Sequence, residues 1–184
     1  VLDDFVIGSD ADDSITFNAR IGSNVLPDVT SSRNIGANGS RFNTIYADVF
    51  NGVATEAKYA DLAENYQAAT NSAAGTVVIF GGDQEITVTD RKGDRRIAGI
   101  VSENPAYLMN SDLQEKNTVP IALQGRVRCK VLGRVEKGDL LVSSAIPEYA
   151  VVDNDPRVGA VIGKALQDKT TDGKDTVEVV VGRV

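Results

Sequence analysis

Acidic side chains are the residues of this chain whose types and spacing best fit a metal site or a proton-sharing pair. Asp10, Asp12 and Asp13 share one predicted turn, and such a D-x-D-D-S run can present oxygen atoms to a hard cation such as Ca²⁺. The run lacks the glycine and the distal glutamate of an EF-hand loop, so a solvated turn is the simpler interpretation. Asp61 and Glu64 lie three residues apart. They could share a proton on one helix face, although an exposed helix face is the commoner arrangement.

The sequence lacks most of the residues that enzymes use for nucleophilic or metal-dependent catalysis. The sequence has no histidine, which excludes Ser-His-Asp and Cys-His catalysis and most transition-metal sites. The single cysteine, Cys129, lies in the alternating run RVRCKVLG, which predicts a reduced, partly buried strand residue. The glycines match neither the Walker nor the dinucleotide spacing. We therefore predict no cofactor, no metal and no catalytic residue.

Charge and hydropathy narrow the range of partners. A formal net charge of −7 argues against nonspecific nucleic-acid binding and against an anionic membrane surface. The chain has no apolar run of about 18 residues, so we expect no membrane insertion. It also opens without a secretory signal pattern. The start, VLDDFVIG, is already strand-like and predicts that this chain is a fragment of a longer protein.

Residues 71–184 predict an all-β barrel or sandwich, which we call the head. Short apolar runs alternate there with turns rich in Gly, Asp and Asn. The predicted strands are Gly75–Phe80, Glu85–Thr89, Arg96–Val101, Val119–Leu123, Val127–Leu132, Asp139–Ser143, Ala150–Val152, Val158–Leu166 and Thr176–Val181.

A repeat runs through the head. GTVVIF, beginning at Gly75, is echoed by GDLLVS from Gly138, and RIAGIV from Arg96 is echoed by RVGAVI from Arg157. In each half a strand led by glycine precedes a strand led by arginine with small residues in its middle. This pattern favours two similarly folded β-halves related by pseudo-symmetry.

Residues 53–70 have a different composition, rich in Ala and free of Gly and Pro. Tyr59, Leu62 and Tyr66 follow a helical spacing, which predicts a short helix with these residues on one apolar face. An extended connector between two domains is the alternative. Too few heptads are present to predict a coiled coil.

Residues 1–52 predict short β-strands that need partners from other chains. The predicted runs are Asp4–Ser9, Ser14–Ile21 and Arg41–Phe50, and a turn rich in Gly and Asn, Asn34–Gly39, precedes the last of them. The run Arg41–Phe50 places Phe42, Tyr46 and Phe50 on one face and Ile45, Ala47 and Val49 on the other. So short a segment cannot cover two apolar faces by itself. We therefore predict an intertwined oligomer, with an interface formed by Phe42, Ile45, Tyr46, Val49, Phe50, Tyr59, Leu62 and Tyr66.

Several motifs resemble phage proteins. The segment 34–52 contains I-G-x-x-G-S-R-F-x-x-I-Y-A and ends in FNG, which resembles a repeat of tail-fibre and related structural proteins of tailed bacteriophages. ADLAE at Ala60, GTVVIFGG at Gly75, VSENPAYLMN at Val101 and IALQGRV at Ile121 follow in order. Together they look like the C-terminal region of fibre-like virion proteins from T4-like phages of cyanobacteria.

The resemblance implies a homotrimeric virion subunit in a tail fibre or baseplate appendage, with roles in host attachment or fibre assembly. Its partners would be two further copies and other tail or baseplate proteins, and it would be made in the host cytoplasm. The region is also similar to a phage appendage domain described as an intramolecular chaperone that cuts its own chain, which is the alternative function. The Ser-Asp-x-Arg-Leu-Lys signature of the better-known fibre chaperones is missing, so no catalytic residue is transferred.

A glycan-binding head is the third hypothesis. Carbohydrate sites usually present exposed aromatic faces, and Tyr107 and Tyr149 beside turn residues are the candidates for contact with a host surface glycan or protein. Both tyrosines also fit a simpler role as partly buried packing residues.

Overall fold

The structure is a computed structural model that describes residue 10, residues 13–49 and residues 60–182. The chain divides into two units, Val1–Gly52 and Val53–Val184. The second unit contains residues 53–70 as well as the predicted head, and from here on the name head refers to this whole unit. Phe50, Tyr59 and the predicted run Asp4–Ser9 lie outside the described residues.

The second unit is built from strands, which confirms the prediction of a mainly β fold. The described residues contain no helix. The strands are β1 Asp61–Gln67, β2 Val77–Phe80, β3 Ile86–Thr87, β4 Ile97–Val101, β5 Tyr107–Met109, β6 Thr118–Leu132, β7 Leu140–Ser143, β8 Ala150–Val152, β9 Val161–Ala165 and β10 Lys174–Val181.

The helix predicted within residues 53–70 is wrong over residues 61–67, which form strand β1. Strand β1 pairs antiparallel with β6 along its whole length and parallel with the short strand β5. These pairings bury Asp61, Ala63 and Asn65 on one side. Residues 61–67 therefore form a strand despite their helical spacing. The reason is that strand β6, more than fifty residues away in sequence, supplies the hydrogen-bond partners of the β1 backbone, as where Gly125 lies opposite Asp61.

Backbone pairing closes two rings of strands that share β6. One ring runs from β6 through β4, β2 and β3 to β1, and a parallel bridge from Ala68 to Ile86 completes it. The other ring runs from β6 through β10, β9 and β7 to β8, which returns to β6 at Val131. Closure leaves few open edges in either ring, as in small antiparallel barrels.

The two halves of the predicted repeat share a strand register, but the echo between RIAGIV and RVGAVI is displaced by three residues, because Gly99 corresponds in the structure to Gly163 and not to Ala160. Strands β2 and β4 pair at Val77–Ile100, Val78–Gly99 and Ile79–Ile97, and the register shifts by one residue before the last pair. Strands β7 and β9 pair at Leu140–Lys164, Leu141–Gly163 and Val142–Val161, with a register shift at the same place. The loops that precede β2 and β7 make equivalent backbone hydrogen bonds to the ends of β4 and β9. Gly75 donates its backbone N–H to Val101 at 2.8 Å, and Gly138 donates to Ala165 at 2.9 Å. The β2–β4 pair and the β7–β9 pair therefore repeat the same local arrangement.

Gly99 and Gly163 occupy equivalent places in this repeat for a steric reason. A Cβ atom at Gly99 would lie 2.5 Å from the carbonyl oxygen of Ala122, and one at Gly163 would lie 2.3 Å from that of Val180. Any side chain at either place would push the next strand away. Close backbone approach thus requires a glycine in the middle of RIAGIV and, in the other half, a glycine one residue beyond the end of RVGAVI.

Two apolar clusters form the core of the head. One contains a buried residue from every strand of the first ring or its immediate extension: Ala68, Val78, Ile86, Val101, Val119 and Ile121. The other is centred on the second ring and also takes in Val77, Ile100 and Ala122. Neighbouring residues of β2, β4 and β6 thus face opposite clusters. Both faces of these strands are buried, which explains their continuous apolar runs.

The first unit has no β-strand among its described residues. The turn at residues 34–39 is present, and Ala37 and Ser40 exchange backbone hydrogen bonds of 2.9 and 3.0 Å across Asn38 and Gly39. The strand predicted over 14–21 is absent, and so is the strand predicted over 41–50 in its described part, 41–49, because no other described segment pairs with their backbones.

Candidate functional site

The first candidate site is the set of large apolar side chains that the first unit leaves in solvent. Tyr46 is 95% exposed, and Phe42 and Ile45 are 63% and 67% exposed. The exposed side chains in this unit, which we call the apolar set, are Ile15, Phe17, Ile21, Val25, Leu26, Val29, Ile35, Phe42, Ile45, Tyr46 and Val49. So many exposed apolar groups in one short segment make the apolar set a candidate interaction surface.

The other two predicted interface residues lie in β1 of the head. Leu62 and Tyr66 are half-buried, and Tyr66 packs against the first-ring cluster. Its ring meets Phe80 edge-on at 5.8 Å, and its hydroxyl donates to Glu64 Oε2 at 2.8 Å. Burial and this acceptor raise the pKa of Tyr66 to about 12. Tyr66 thus has contacts within its own chain, unlike the apolar set.

The two predicted receptor tyrosines differ from each other. Tyr107 in β5 is 66% exposed. Tyr149 is half-buried, and Lys174 Nζ lies 4.7 Å from the centre of its ring, within the range of a cation–π contact. Tyr107 is therefore the one with a free aromatic face.

The predicted acidic sites do not form as sequence spacing suggested. Asp12 lies outside the described residues, and the Asp13 carboxylate accepts the backbone N–H of Asp10 at 3.3 Å, which closes the turn. Among the residues that the structure describes, no group of acidic or cysteine side chains is placed to hold a metal. Asp61 and Glu64 lie three residues apart on a strand and so point to opposite faces, which rules out a shared proton.

A pocket of about 450 Å³ lies beside Asp61 in the head. Asp61 is 5% exposed, and its Oδ2 atom is buried without a hydrogen-bond partner among the residues that the structure describes. The pocket is also lined by Ser102, which is buried, and by Arg126 and Glu178, whose side chains pair at 3.4 Å. A buried carboxylate oxygen without a donor is unusual in a folded protein. This pocket is the second candidate site.

Gly125 fixes the position of Asp61. A Cβ atom at Gly125 would lie 2.2 Å from the carbonyl oxygen of Ala60 and 2.9 Å from Asp61 Cα. Only a glycine lets β6 and the start of β1 approach so closely. Backbone bonds from Ala106 to the Asp61 carbonyl, 2.8 Å, and from Arg126 to the Ala60 carbonyl, 3.1 Å, hold the strand there.

Sequence reasoning missed this pocket because it assigned Asp61 to a helix. Read as a strand, DLAENYQ alternates in two-residue steps and places Asp61 and Asn65 on the same face as Ala63. Two polar residues on the buried face of a strand would have been the available signal. The helical spacing of Tyr59, Leu62 and Tyr66 concealed it.

A second buried carboxylate, Asp94, has every partner it needs. It accepts hydrogen bonds from the Arg96 guanidinium at 2.7 and 3.0 Å, from the Arg96 backbone at 3.1 Å and from the Thr89 hydroxyl at 3.0 Å. These bonds, those from the Arg96 side chain above all, hold the pKa of the Asp94 carboxyl well below its usual range. Its own backbone N–H donates to Ser143 Oγ at 2.9 Å, which ties the loop to β7. The Asp94 carboxylate therefore holds its loop in place and has no hydrogen-bonding need that a ligand would have to fill.

Cys129 and Lys169 are buried groups that also have structural surroundings. Burial raises the pKa of the Cys129 thiol to about 12, so it remains protonated at neutral pH. The Lys169 ammonium donates to the carbonyl oxygens of Gly133, Thr171 and Gly173 at 2.6, 2.5 and 2.7 Å, which closes the loop before β10. Within residues 10, 13–49 and 60–182, no helix is long and apolar enough to cross a membrane.

The fold is similar to that of a bacteriophage protein of known structure. The C-terminal fragment of gene product 12 of bacteriophage phi29 superposes with a TM-score of 0.50 at 14% identity, over 66% of this chain and 99% of that fragment. The N base of head fibre protein gp8.5 of the same phage gives a TM-score of 0.41 at 17% identity, over 66% of this chain and 93% of that chain. No known protein family matches the sequence, and no curated protein does.

Proposed function

We propose that this chain is a structural subunit of a phage virion, a homotrimeric component of a tail fibre or baseplate appendage. The first unit would be the shaft and the second unit the head. The observation that carries the proposal is the apolar set, which remains exposed in the single chain while the head buries its own core. The likeness in fold to a bacteriophage protein is consistent with this role.

Further copies of the same chain are the occupant that best fits the apolar set. The described part of the first unit has no internal strand partners, and symmetric copies can supply both backbone partners and apolar cover. Burying one side chain of this size contributes about 1.5–3 kcal/mol. Each such burial would occur once per subunit, so assembly of the shaft would stabilise it strongly. The number three comes from the resemblance to tail-fibre repeats.

Light scattering on the purified full chain tests the proposal. We expect the wild type to have the mass of a trimer, and Phe42→Asp and Ile45→Asp to give monomers, because a carboxylate in a shared apolar interface has no partner. Lys137→Ala is the matched control on an exposed residue of the head and should leave the trimer intact. A wild-type monomer would refute the proposal, and a normally stable Ile45→Asp trimer would refute the assignment of Ile45 to the interface.

The head would serve assembly or host attachment, in contact with other tail or baseplate proteins or with the host surface. Tyr107 offers an exposed aromatic ring for such a contact, and Tyr149 is the weaker candidate because Lys174 covers its ring. Phage adsorption that is unchanged by Tyr107→Ala and Tyr149→Ala would remove both residues from the proposal.

The alternative implied by the resemblance is a head that acts as an intramolecular chaperone and cuts its own chain. It is tested by the intact mass of a longer chain that contains this sequence. Cleavage at or near Val1 after assembly would support it, and a chain that stays uncut after trimerisation would count against it.

A further inference from the structure

The Asp61 pocket has the features of a small-molecule site. Its volume of about 450 Å³ lies in the range of ligand pockets, roughly 300–1,000 Å³. The buried Oδ2 atom of Asp61 has no donor within residues 60–182, and backbone bonds to the carbonyls of Ala60 and Asp61 keep the residue in place. Because backbone bonds keep this strand in place, a donor for this oxygen would come from an ordered water or from a ligand in the pocket.

The charges around the pocket select the kind of ligand. Asp61, Glu103 and Glu178 contribute three carboxylates, and Arg126 and Arg128 contribute two guanidinium groups. An ammonium ligand would satisfy Asp61 but would lie beside two arginines. A phosphate or carboxylate would suit the arginines but would face three carboxylates. A neutral ligand avoids both conflicts.

A neutral ligand with several hydroxyl groups could both donate a hydrogen bond to Asp61 and accept hydrogen bonds from the arginines. A hydroxyl can donate to the Asp61 carboxylate, while other hydroxyls on the same ligand accept from arginine N–H groups. Ser102, Asn104 and Thr176 line the same pocket and can both donate and accept. Apolar surface is provided by Val101 and Val127, against which the C–H face of a ring can pack. The ligand thus needs several hydroxyls and one apolar face.

We propose that the Asp61 pocket binds a neutral monosaccharide unit, with Asp61 accepting a hydrogen bond from a sugar hydroxyl at the floor. This inference adds a ligand site to the head and does not depend on trimer formation. Neither Tyr107 nor Tyr149 lines the pocket. It is therefore a different surface from the aromatic contact proposed for host attachment.

Amide NMR spectra of the full chain test the site. The probes are D-glucose, D-galactose, N-acetyl-D-glucosamine and L-rhamnose, with lysine amide and inorganic phosphate as charged comparisons. We expect at least one sugar to cause saturable shifts, in the millimolar range, confined to the amides of Gly75, Ser102–Asn104 and Arg126–Arg128. The same sugar should bind at least about tenfold more weakly to Asp61→Asn, which loses a charge-assisted hydrogen bond.

The control is Glu115→Gln, an exposed residue that does not line the pocket and should leave the sugar affinity unchanged. If Asp61→Asn fails to fold, the exposed variants Glu103→Ala and Arg128→Ala replace it, and at least one of them should weaken binding. The proposal is overturned if no sugar saturates the pocket amides, if lysine amide or phosphate binds there more tightly than any sugar, or if folded variants keep full affinity. Light scattering on the same samples reports assembly separately, so a failure of sugar binding leaves the trimer proposal untouched.

Discussion

The two units use similar apolar residues with opposite results. In the head, Ile100 and Ile121 are completely buried, whereas Ile15 and Ile45 in the first unit are 52% and 67% exposed. Strand partners account for the difference. The head finds every partner for its strands within one chain, and the described part of the first unit finds none. An alternating apolar sequence therefore becomes a β-structure only where a second backbone is within reach.

The largest expected effect distinguishes a core isoleucine from an exposed one. Ile121→Ala should lower the free energy of unfolding by about 2–5 kcal/mol, because it leaves a cavity in the first-ring cluster. Ile45→Ala should change the unfolding of the head by less than about 0.5 kcal/mol. Urea titration followed by alkylation of the buried Cys129 thiol reports the head alone. Equal losses in the two variants would contradict the division into a self-sufficient head and a dependent first unit.

An intermediate effect concerns the buried charge in the head. Asp94→Asn should lower the free energy of unfolding by about 1.5–3 kcal/mol at neutral pH, since it weakens hydrogen bonds to a charged group. The folded state holds the pKa of Asp94 below its ordinary value of 3.8. The carboxylate therefore stabilises the fold above that value, and this contribution is lost as the pH falls toward the folded-state pKa.

Urea titrations from neutral to acidic pH measure this loss. The gap between wild type and Asp94→Asn should narrow as the solution becomes more acidic. The matched variant Asp28→Asn changes an exposed carboxylate of the first unit, and we expect it to have little effect on the head. A gap that stays constant with pH would show that the charge of Asp94 is unimportant.

The smallest effect compares one tyrosine from each unit. Tyr66→Phe removes the hydrogen bond to Glu64 but keeps the contact with Phe80, so we expect a loss of about 0.5–1.5 kcal/mol. Tyr46→Phe, at a side chain that is 95% exposed, should have no measurable effect on the head.

Ultraviolet titration adds a test by pH. Tyr66 should ionise at about 12, against an ordinary value of 10.0. A raised pKa means that the Tyr66 hydroxyl stabilises the fold below pH 10 and loses this contribution as the pH rises through about 12. Ionisation of Tyr66 near 10 in the folded protein would contradict the burial of its hydroxyl against Glu64.

Much of the head could be predicted from the sequence because its signals are local. Glycine and aspartate turns bound the short apolar runs, and eight of the ten strands, β2, β3, β4 and β6 to β10, fall on predicted ones. The predicted strands Val119–Leu123 and Val127–Leu132 are a single strand, β6, of 15 residues. The break expected at Gly125 is instead the point where β6 passes from the first ring to the second, since Gly125 pairs with both Asp61 and Val181.

The second candidate site could not be predicted because it depends on contacts between distant segments. The side chains beside Asp61 come from β4, β6, β10 and the loop after β4. Burial of Asp61 follows from the close approach that Gly125 allows across a gap of more than sixty residues. Local periodicity contains no information about such a contact, and for β1 it indicated the wrong element.

The sequence by itself determined the mainly β class, the turns that separate the strands of the head, the repeat of its two halves and the apolar set of the first unit. Each of these is a property of neighbouring residues: alternation, turn chemistry or composition. Only the tertiary structure decided that residues 61–67 are a strand, that two rings share β6, and that Asp61 Oδ2 is buried with no donor in the described part of the chain. Ladder pairing and close packing decide those features, because they join residues that are far apart in the chain.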